Sequence, residues 1–467
     1  MNFFVGLLSG IAASLGYAGL AKRWFSDPHR PPWISEYYVR SIWLELAGFY
    51  DLTPTPPFTE NDARADIVIV GGGLTGLSSA YHLKKCFPDK RIILLEAARC
   101  GYGASGRNGG ILQDFDNTLI MDIYQKKGRE AAQGYYKVDS QGPILVRRLI
   151  KEHKIDCDLE ECGLIELALD KGDMKRLIKY HEDWKSLGIA SRIMNREELR
   201  HEIISERYCG GLHKNRAAVL NPAKFALGLK SVLEALRVEI FECTKVVSIQ
   251  PGATIKIETE FASIISDALV LATNAYSHRI GYFKNRIFPM GTYIMATEPL
   301  REEQMASIGW RGRQAMFDIR RECNYFRLTA DNRIVFGGGL SPYFYQNEIS
   351  SGNYRPSLDR LESDFFKIWP QLKGIRITHK WGGTLAMTLD FHPTIGVTGA
   401  KKNIFYGVGY SGHGVSWSQL AGKIISQLYA KEDSELTNFY CTNKIAPYLP
   451  PEPFRKVGYH LFKRFLL

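Results

Sequence analysis

Residues 103–110, GASGRNGG, set one permanent cation, Arg107, and one amide, Asn108, among residues with almost no side chain. Glycine lets a backbone come close to a ligand, and arginine presents a planar, charged fork at every working pH. Such a loop suits a flat, polar and partly anionic ligand. Upstream, Gly71, Gly73 and Gly76 form a G-x-G-x-x-G run, and Glu96 ends the next apolar stretch. In that spacing Gly71 permits a tight turn, Gly73 lets the backbone approach a pyrophosphate, and Gly76 lets a helix lie close on its sheet. Leu74 and Thr75 open that helix, whose N-terminus favours phosphate charge. Glu96 is placed to accept hydrogen bonds from a ribose, and an acidic group there argues against a 2′-phosphate. The combination points to a dinucleotide site.

The elements that must position these groups are legible around them. DIVIVGGGLTGLSSAYHLKK reads as a short β-branched strand, a glycine turn and a helix with Leu77, Ala80 and Leu83 on one face. RIILLE is a second buried strand, and strand, helix and strand this close make a right-handed βαβ unit with a parallel sheet. Much later, DALVLATNAYS (267–277) and NIFYGVGYSGHGVSWSQLAGKIISQLY (403–429) supply another buried strand and a strand–turn–helix. Between them, helical and strand patterns alternate, as in MKRLIKYHEDWKSLG and LESDFFKIWPQL. A nucleotide-binding domain interrupted by a second domain fits this order.

With 467 residues, 45% of them hydrophobic and 23% charged, the chain can bury sizeable cores in more than one domain. Its formal net charge of +11 favours anionic partners. Without a dense Lys/Arg block or a nucleic-acid module, a nucleic acid is not expected among them. The eight cysteines contain no C-x-x-C, so neither a disulfide framework nor a metal site is expected, and a reducing compartment fits. Residues 2–21, NFFVGLLSGIAASLGYAGLA, are uncharged and long enough to cross a bilayer, and Lys22 and Arg23 follow at once. The expectation is a single-pass anchor with the body on the cytoplasmic side. DLTPTPPFTENDARA, proline-rich and polar, reads as a linker. At the other end Phe454, Val457, Leu461 and Phe465 share a helical face beside Arg455, Lys456, Lys463 and Arg464. That pattern suits either membrane lipid or docking on the body.

Together, VGGGLTGLSSAYHL, LLEAARCGYGASGRNGG, CGLIELAL, YFRLTADNRIVFGGG, WPQLKGIRI and GVGYSGHGV resemble the D-amino-acid-oxidase-like family of FAD enzymes. Within it they resemble the γ-glutamylputrescine oxidoreductase branch, over about residues 65–435. The resemblance implies a mixed α/β fold: a Rossmann-like FAD-binding domain interleaved with an antiparallel-sheet substrate domain, here preceded by the transmembrane helix. The FAD-binding domain takes residues 65–150, 206–285 and 376–435, and the substrate domain 151–205 and 286–375. Around them stand the anchor (2–21), a juxtamembrane segment and linker (22–64) and the basic tail (436–467).

The resemblance also implies roles. Ala104, Ser105, Gly106, Arg107, Asn108, Gly109 and Gly110 are expected against a non-covalent FAD, with Arg107 placing positive charge near the flavin. A second flavin loop, GYSGHGV (409–415), brings Gly412, His413, Gly414 and Val415; Asn274 supports it, and Val247 adds a contact. His413 equally suits a structural loop histidine. Family members move a hydride from the carbon beside an amine nitrogen to flavin N5, and the imine hydrolyses to a carbonyl compound. The candidate catalytic residues are Arg107, His413, Trp381, Arg327 and Tyr325, the last three lining the substrate side or packing between domains. Where sarcosine-type relatives attach FAD through cysteine, this chain has Gly383; where they hold a substrate carboxylate with lysine, it has Ser416. A longer amine, such as γ-glutamylputrescine, therefore suits it better than a small α-amino acid. Val335 stands where some oxidases carry a lysine that speeds reaction with oxygen, which leaves oxygen or quinone as the acceptor. A quinone-linked amino-acid dehydrogenase and a non-catalytic flavin scaffold are the alternatives.

Overall fold

The computed structural model of the chain describes residues 40–113, 115, 117–320, 322–349 and 352–465. Among these residues no helix is long and apolar enough to cross a membrane. The longest described helix, Lys171–Leu187, has 17 residues and carries charge along its length. This corrects the expected transmembrane helix in the fold and the membrane location drawn from it. Residues 2–21, on which both expectations rested, lie outside the described residues.

One sheet is built around β1 (Ala63–Val70). It pairs in parallel with β2 (Ile92–Leu95) on one side and with β4 (Ser263–Leu271) on the other, Val70 standing opposite both Leu95 and Leu271. Outward lie β9 (Ile404–Val408), parallel to β4, and Glu239–Phe241, parallel to β2. Thr394–Thr398 closes one edge in antiparallel sense, and β3 (Val246–Gln250) joins through Ile255–Thr259. A parallel strand is covered on both faces, so IVIV and IILL are unbroken apolar runs. Helix α2 (Leu74–Cys86) follows β1, α3 (Pro222–Ala235) precedes the Glu239–Phe241 strand, and α4 (Gly414–Tyr429) follows β9.

The second sheet has eight strands, in the order β8 (Ile377–Met387), β5 (Phe288–Thr297), β7 (Ile334–Gly338), β6 (Tyr325–Leu328), Ala315–Asp318, Leu164–Ala168, Gly210–Lys214 and Arg192–Met194. It is antiparallel except where Ala315–Asp318 runs parallel to Leu164–Ala168. Those two strands come from separate excursions out of the first domain, so no hairpin fixes their direction. One face of the sheet packs on Arg355–Ile368, with Trp310, Phe326, Phe336 and Trp369 at its centre.

The proline-rich stretch before β1 is seated on the body. Helix α1 (Ile42–Leu46) buries Ile42, Trp43 and Leu44, and Phe49 and Phe58 beyond it are equally inaccessible. The Thr55 N–H donates to Glu242 at 2.7 Å, and the Phe58 N–H donates to the Thr244 hydroxyl at 2.9 Å. Prolines keep this segment extended, and polar side chains of the body take its amides. At the far end a helix does form over Phe454–Phe465. Arg455 turns inward to Asn285, Asn347 and the Pro450 carbonyl, while Phe454, Val457 and Leu461 are exposed. The eight cysteines are free thiols.

Glu242 holds three parts of the first domain together. It accepts from the Lys230 ammonium on α3 at 2.9 Å, from the Cys100 N–H at 2.8 Å and from Thr55, with both charged side chains nearly inaccessible. Removing one partner of a buried pair leaves an uncompensated charge, which costs about 3–5 kcal/mol. Lys230→Met is therefore expected to lower the urea midpoint of the apoprotein by an amount equivalent to about 3 kcal/mol. An unchanged midpoint would contradict this role.

Candidate cofactor and active site

The turn after β1 is built for contact. Gly71 has φ of +111°, and a Cβ on it would stand 2.7 Å from the Ala272 carbonyl oxygen of the neighbouring strand. A Cβ on Gly76 would come within 1.8 Å of the Gly71 oxygen, so α2 can start this close to the sheet only with glycine there. The Leu74 N–H, free of any intrahelical acceptor, donates to the Ser105 hydroxyl at 2.9 Å. The GASGRNGG loop is thereby tied to the N-terminus of α2.

Glu96 stands at the end of β2 and accepts from the Gly72 N–H at 2.6 Å and the Ala98 N–H at 2.9 Å. Burial pushes its carboxyl above the ordinary range; the two amides pull the other way and the Glu242 charge adds to the rise. On the far side of the turn, the Thr75 hydroxyl meets the Tyr410 phenol at 2.9 Å. Asn274, at φ of +42°, accepts from the Gly409 N–H at 3.2 Å, so it clasps the second loop to the end of β4.

These pieces enclose a cavity of about 310 Å³. Its wall runs from Leu95–Ala98 and Thr244–Val246, past the start of α2, to Ala104, Ser105, Arg107 and Asn108, to Thr384–Ala386, and to Ser411, Gly412, Gly414 and Val415. Acceptors for ribose hydroxyls, a helix N-terminus and a glycine-rich loop carrying Arg107 fit FAD. Arg107 is nearly buried; its Nε donates to the Tyr102 carbonyl at 2.9 Å and its guanidinium lies 4.5 Å from the Tyr102 ring centroid.

Of the residues expected against the cofactor, Gly71, Gly73, Leu74, Thr75, Glu96, Ala104, Ser105, Arg107, Asn108, Asn274, Gly412, Gly414 and Val415 line this cavity. Gly76 shapes the turn from behind. Gly106, Gly109 and Gly110 lie on the outer side of the loop, against Leu44, the Tyr325 ring and the Leu220 carbonyl respectively. Val247 is 47% exposed and off this wall, and strand alternation gives the wall to Val246. His413 is not on the wall either; its N–H donates to the Tyr410 carbonyl at 3.0 Å as the residue preceding α4.

Neither Trp381 nor Arg327 lines this cavity, and both pack between the domains, one of the two placements expected of them. The Trp381 indole N–H donates to the Arg107 carbonyl at 2.9 Å. Arg327 donates to the carbonyls of Gly110 at 2.9 Å and Leu220 at 2.7 Å, and its guanidinium lies 4.9 Å from the centroid of the Trp43 ring system. Val335 packs in the same buried cluster as Trp43 and Trp381. Tyr325 is also outside the wall, its ring against Gly109 and its phenol 3.4 Å from the Thr292 hydroxyl. Lys245, Tyr276, Arg279 and Tyr410 do line the cavity. Tyr410 stands inside the GYSGHGV motif but was not singled out there; Lys245, Tyr276 and Arg279 belong to no spaced motif, and Tyr276 and Arg279 carried only the signal of following Asn274 on a turn.

A family model described as FAD dependent oxidoreductase matches residues 66–428. Gamma-glutamylputrescine oxidoreductase of Escherichia coli (strain K12) is 32% identical over 367 residues, covering 78% of this chain and 83% of that protein. Glycine oxidase from Geobacillus kaustophilus has a similar fold, with a TM-score of 0.68 at 19% identity over 82% of this chain and 100% of its own. L-Proline dehydrogenase from P. horikoshii matches equally, with a TM-score of 0.68 at 19% identity over 82% of this chain and 97% of its own. The glycine turn, the enclosed cavity and these matches lead to one conclusion: the chain belongs to the FAD-dependent oxidoreductase family and is an FAD-binding enzyme.

Proposed function

We infer that the enzyme oxidises the C–N bond of an elongated primary or secondary amine, of the γ-glutamylputrescine kind, to an imine that hydrolyses to an aldehyde. FAD, when bound, supplies the two-electron acceptor. Glu96 and the start of α2 hold its adenosine and phosphate parts, and Arg107 and the amides at the start of α4 place positive charge beside the flavin.

The observation that carries the substrate class is the face of the second sheet that meets the GASGRNGG loop. Alternate residues of β8 share this face. His379 meets Glu45 of α1, Trp381 holds the Arg107 carbonyl, the bare Cα of Gly383 faces the Arg107 side chain, and Leu385 reaches the cavity. Beside Gly383 stand Thr292 and Tyr325, with Gly337 under the Tyr325 ring. None of Thr292, Tyr325, Gly337, Gly383 and Leu385 is charged. Ser416 does not fill the gap: it is buried, and its hydroxyl donates to the Gln113 carbonyl at 3.1 Å. These residues themselves supply no cation for a carboxylate on the reacting carbon, and the Arg107 side chain that packs on Gly383 has its guanidinium over the Tyr102 ring, whereas an aminoalkyl chain would meet an uncharged surface.

Anaerobic addition of γ-glutamylputrescine to the FAD-loaded enzyme is expected to bleach the visible flavin band, with glycine, sarcosine and D-alanine far slower. Bleaching by the small amino acids alone would overturn the assignment. A pH profile tests the absence of a protein base. Burial pushes the Tyr325 phenol up to about 12, against a weaker pull from its hydrogen bond with Thr292. It therefore stays protonated and takes no proton at working pH. Deprotonation of the substrate ammonium, near pH 10 by analogy with about 10.4 for lysine, should set the alkaline rise of kcat/KM. Tyr325→Phe is expected to leave that rise in place; its loss in the variant would make the phenol a base.

A further inference from the structure

Asn108 takes the carbonyls of Ala104 and Ser105 within the GASGRNGG loop, and four further carbonyls of the loop are held from outside the cavity. The Ser41 hydroxyl donates to the Gly106 carbonyl at 2.7 Å, the Trp381 indole to Arg107 at 2.9 Å, the Trp43 indole to Asn108 at 2.8 Å, and Arg327 to Gly110 at 2.9 Å. None of these four donors lines the cavity, so the carbonyls they hold point away from it. Two of the donors come from α1 and its cap, in the segment that precedes the first strand. Ser41 also accepts from the Leu44 N–H at 3.3 Å, which fixes the short helix, and Leu44 closes on Gly106 so tightly that a Cβ there would lie 2.9 Å from its Cδ2. Trp43 is held in turn by the Arg327 guanidinium over its ring.

We propose that Ser41 and Trp43 are positioning residues for the cofactor: the segment before β1 is a clamp that turns the loop's carbonyl dipoles outward and leaves its cationic side toward the flavin. The clamp rests on the reading that this loop lies against FAD. A reduced flavin carries negative charge, and a carbonyl swung into the cavity would oppose it, so an unclamped loop binds FAD more weakly and makes it harder to reduce.

The test compares Trp43→Phe and Ser41→Ala with Trp310→Phe. Trp310 also donates its indole N–H to a buried carbonyl, Gln314, at 3.1 Å, but on the opposite side of the substrate sheet. It therefore controls for general loss of stability. FAD affinity is read by titrating the apoprotein and following flavin fluorescence, and the midpoint potential by anaerobic dye equilibration. Either clamp variant is expected to raise the FAD dissociation constant roughly tenfold, as for a lost partner of a buried carbonyl, and to shift the potential to a more negative value. Trp310→Phe should change neither. Glu96→Gln separates the two levels. If it weakens FAD binding while Trp43→Phe and Ser41→Ala behave as Trp310→Phe does, the clamp is overturned and the site stands. If Glu96→Gln also leaves affinity unchanged, the site itself is misplaced and the clamp falls with it.

Discussion

A backbone that lies against a flat, anionic cofactor must dispose of its own carbonyl oxygens. Buried carbonyls need partners, and those partners cannot stand where the cofactor goes. Much of this molecule is arranged around that constraint. In the loop from Gly103 to Gly110, Asn108 takes the carbonyls of Ala104 and Ser105. Those of Gly106, Arg107, Asn108 and Gly110 take donors from α1 in front and from β8 and β6 of the second sheet above, and the Ser105 hydroxyl ties the loop to the start of α2. The interleaved order of the two domains follows from this. A loop emitted by the first parallel sheet is completed by indole and guanidinium groups that arrive hundreds of residues later.

The same geometry divides one sheet face into two zones. Near α1, residues such as Trp381, Ile294 and Val335 form a dry cluster. One step further along the strands, Gly383, Thr292 and Tyr325 stand beside the GASGRNGG loop. Further along the same strand Leu385 reaches the cavity, so one face of β8 carries both a buttress of the loop and a residue of the cavity.

What could be read from the sequence was what local chemistry dictates. The run of Ile67 to Val70, the glycine turn and the apolar face of α2 are fixed by burial on both sides of a parallel strand and by atoms that leave no room for a Cβ, so strand, turn and helix were legible together. Glu96 was legible for the same reason. Residues whose roles depend on strand phase were not: Val246 and Val247 differ only in which way the pleat points, and Trp381 and Arg327 carry chemistry-bearing side chains that the pleat turns onto the loop rather than into the cavity. The segment from Ser41 to Phe58 was read as a linker because prolines and threonines mark solvent-facing chain; its partners, Glu242, Thr244 and the loop carbonyls, lie far away in sequence. The transmembrane expectation came from composition at residues 2–21, outside the described residues, and no described helix sustains it.

The most direct measurement is the electron density of the FAD-bound protein. This account predicts the adenosine at Glu96, the pyrophosphate at the start of α2, and the flavin ring between the GASGRNGG and GYSGHGV loops beside Gly383, with the carbonyls of Gly106, Arg107 and Asn108 still turned toward Ser41, Trp381 and Trp43. A flavin ring placed away from these loops, or loop carbonyls directed at it, would contradict the account at its centre.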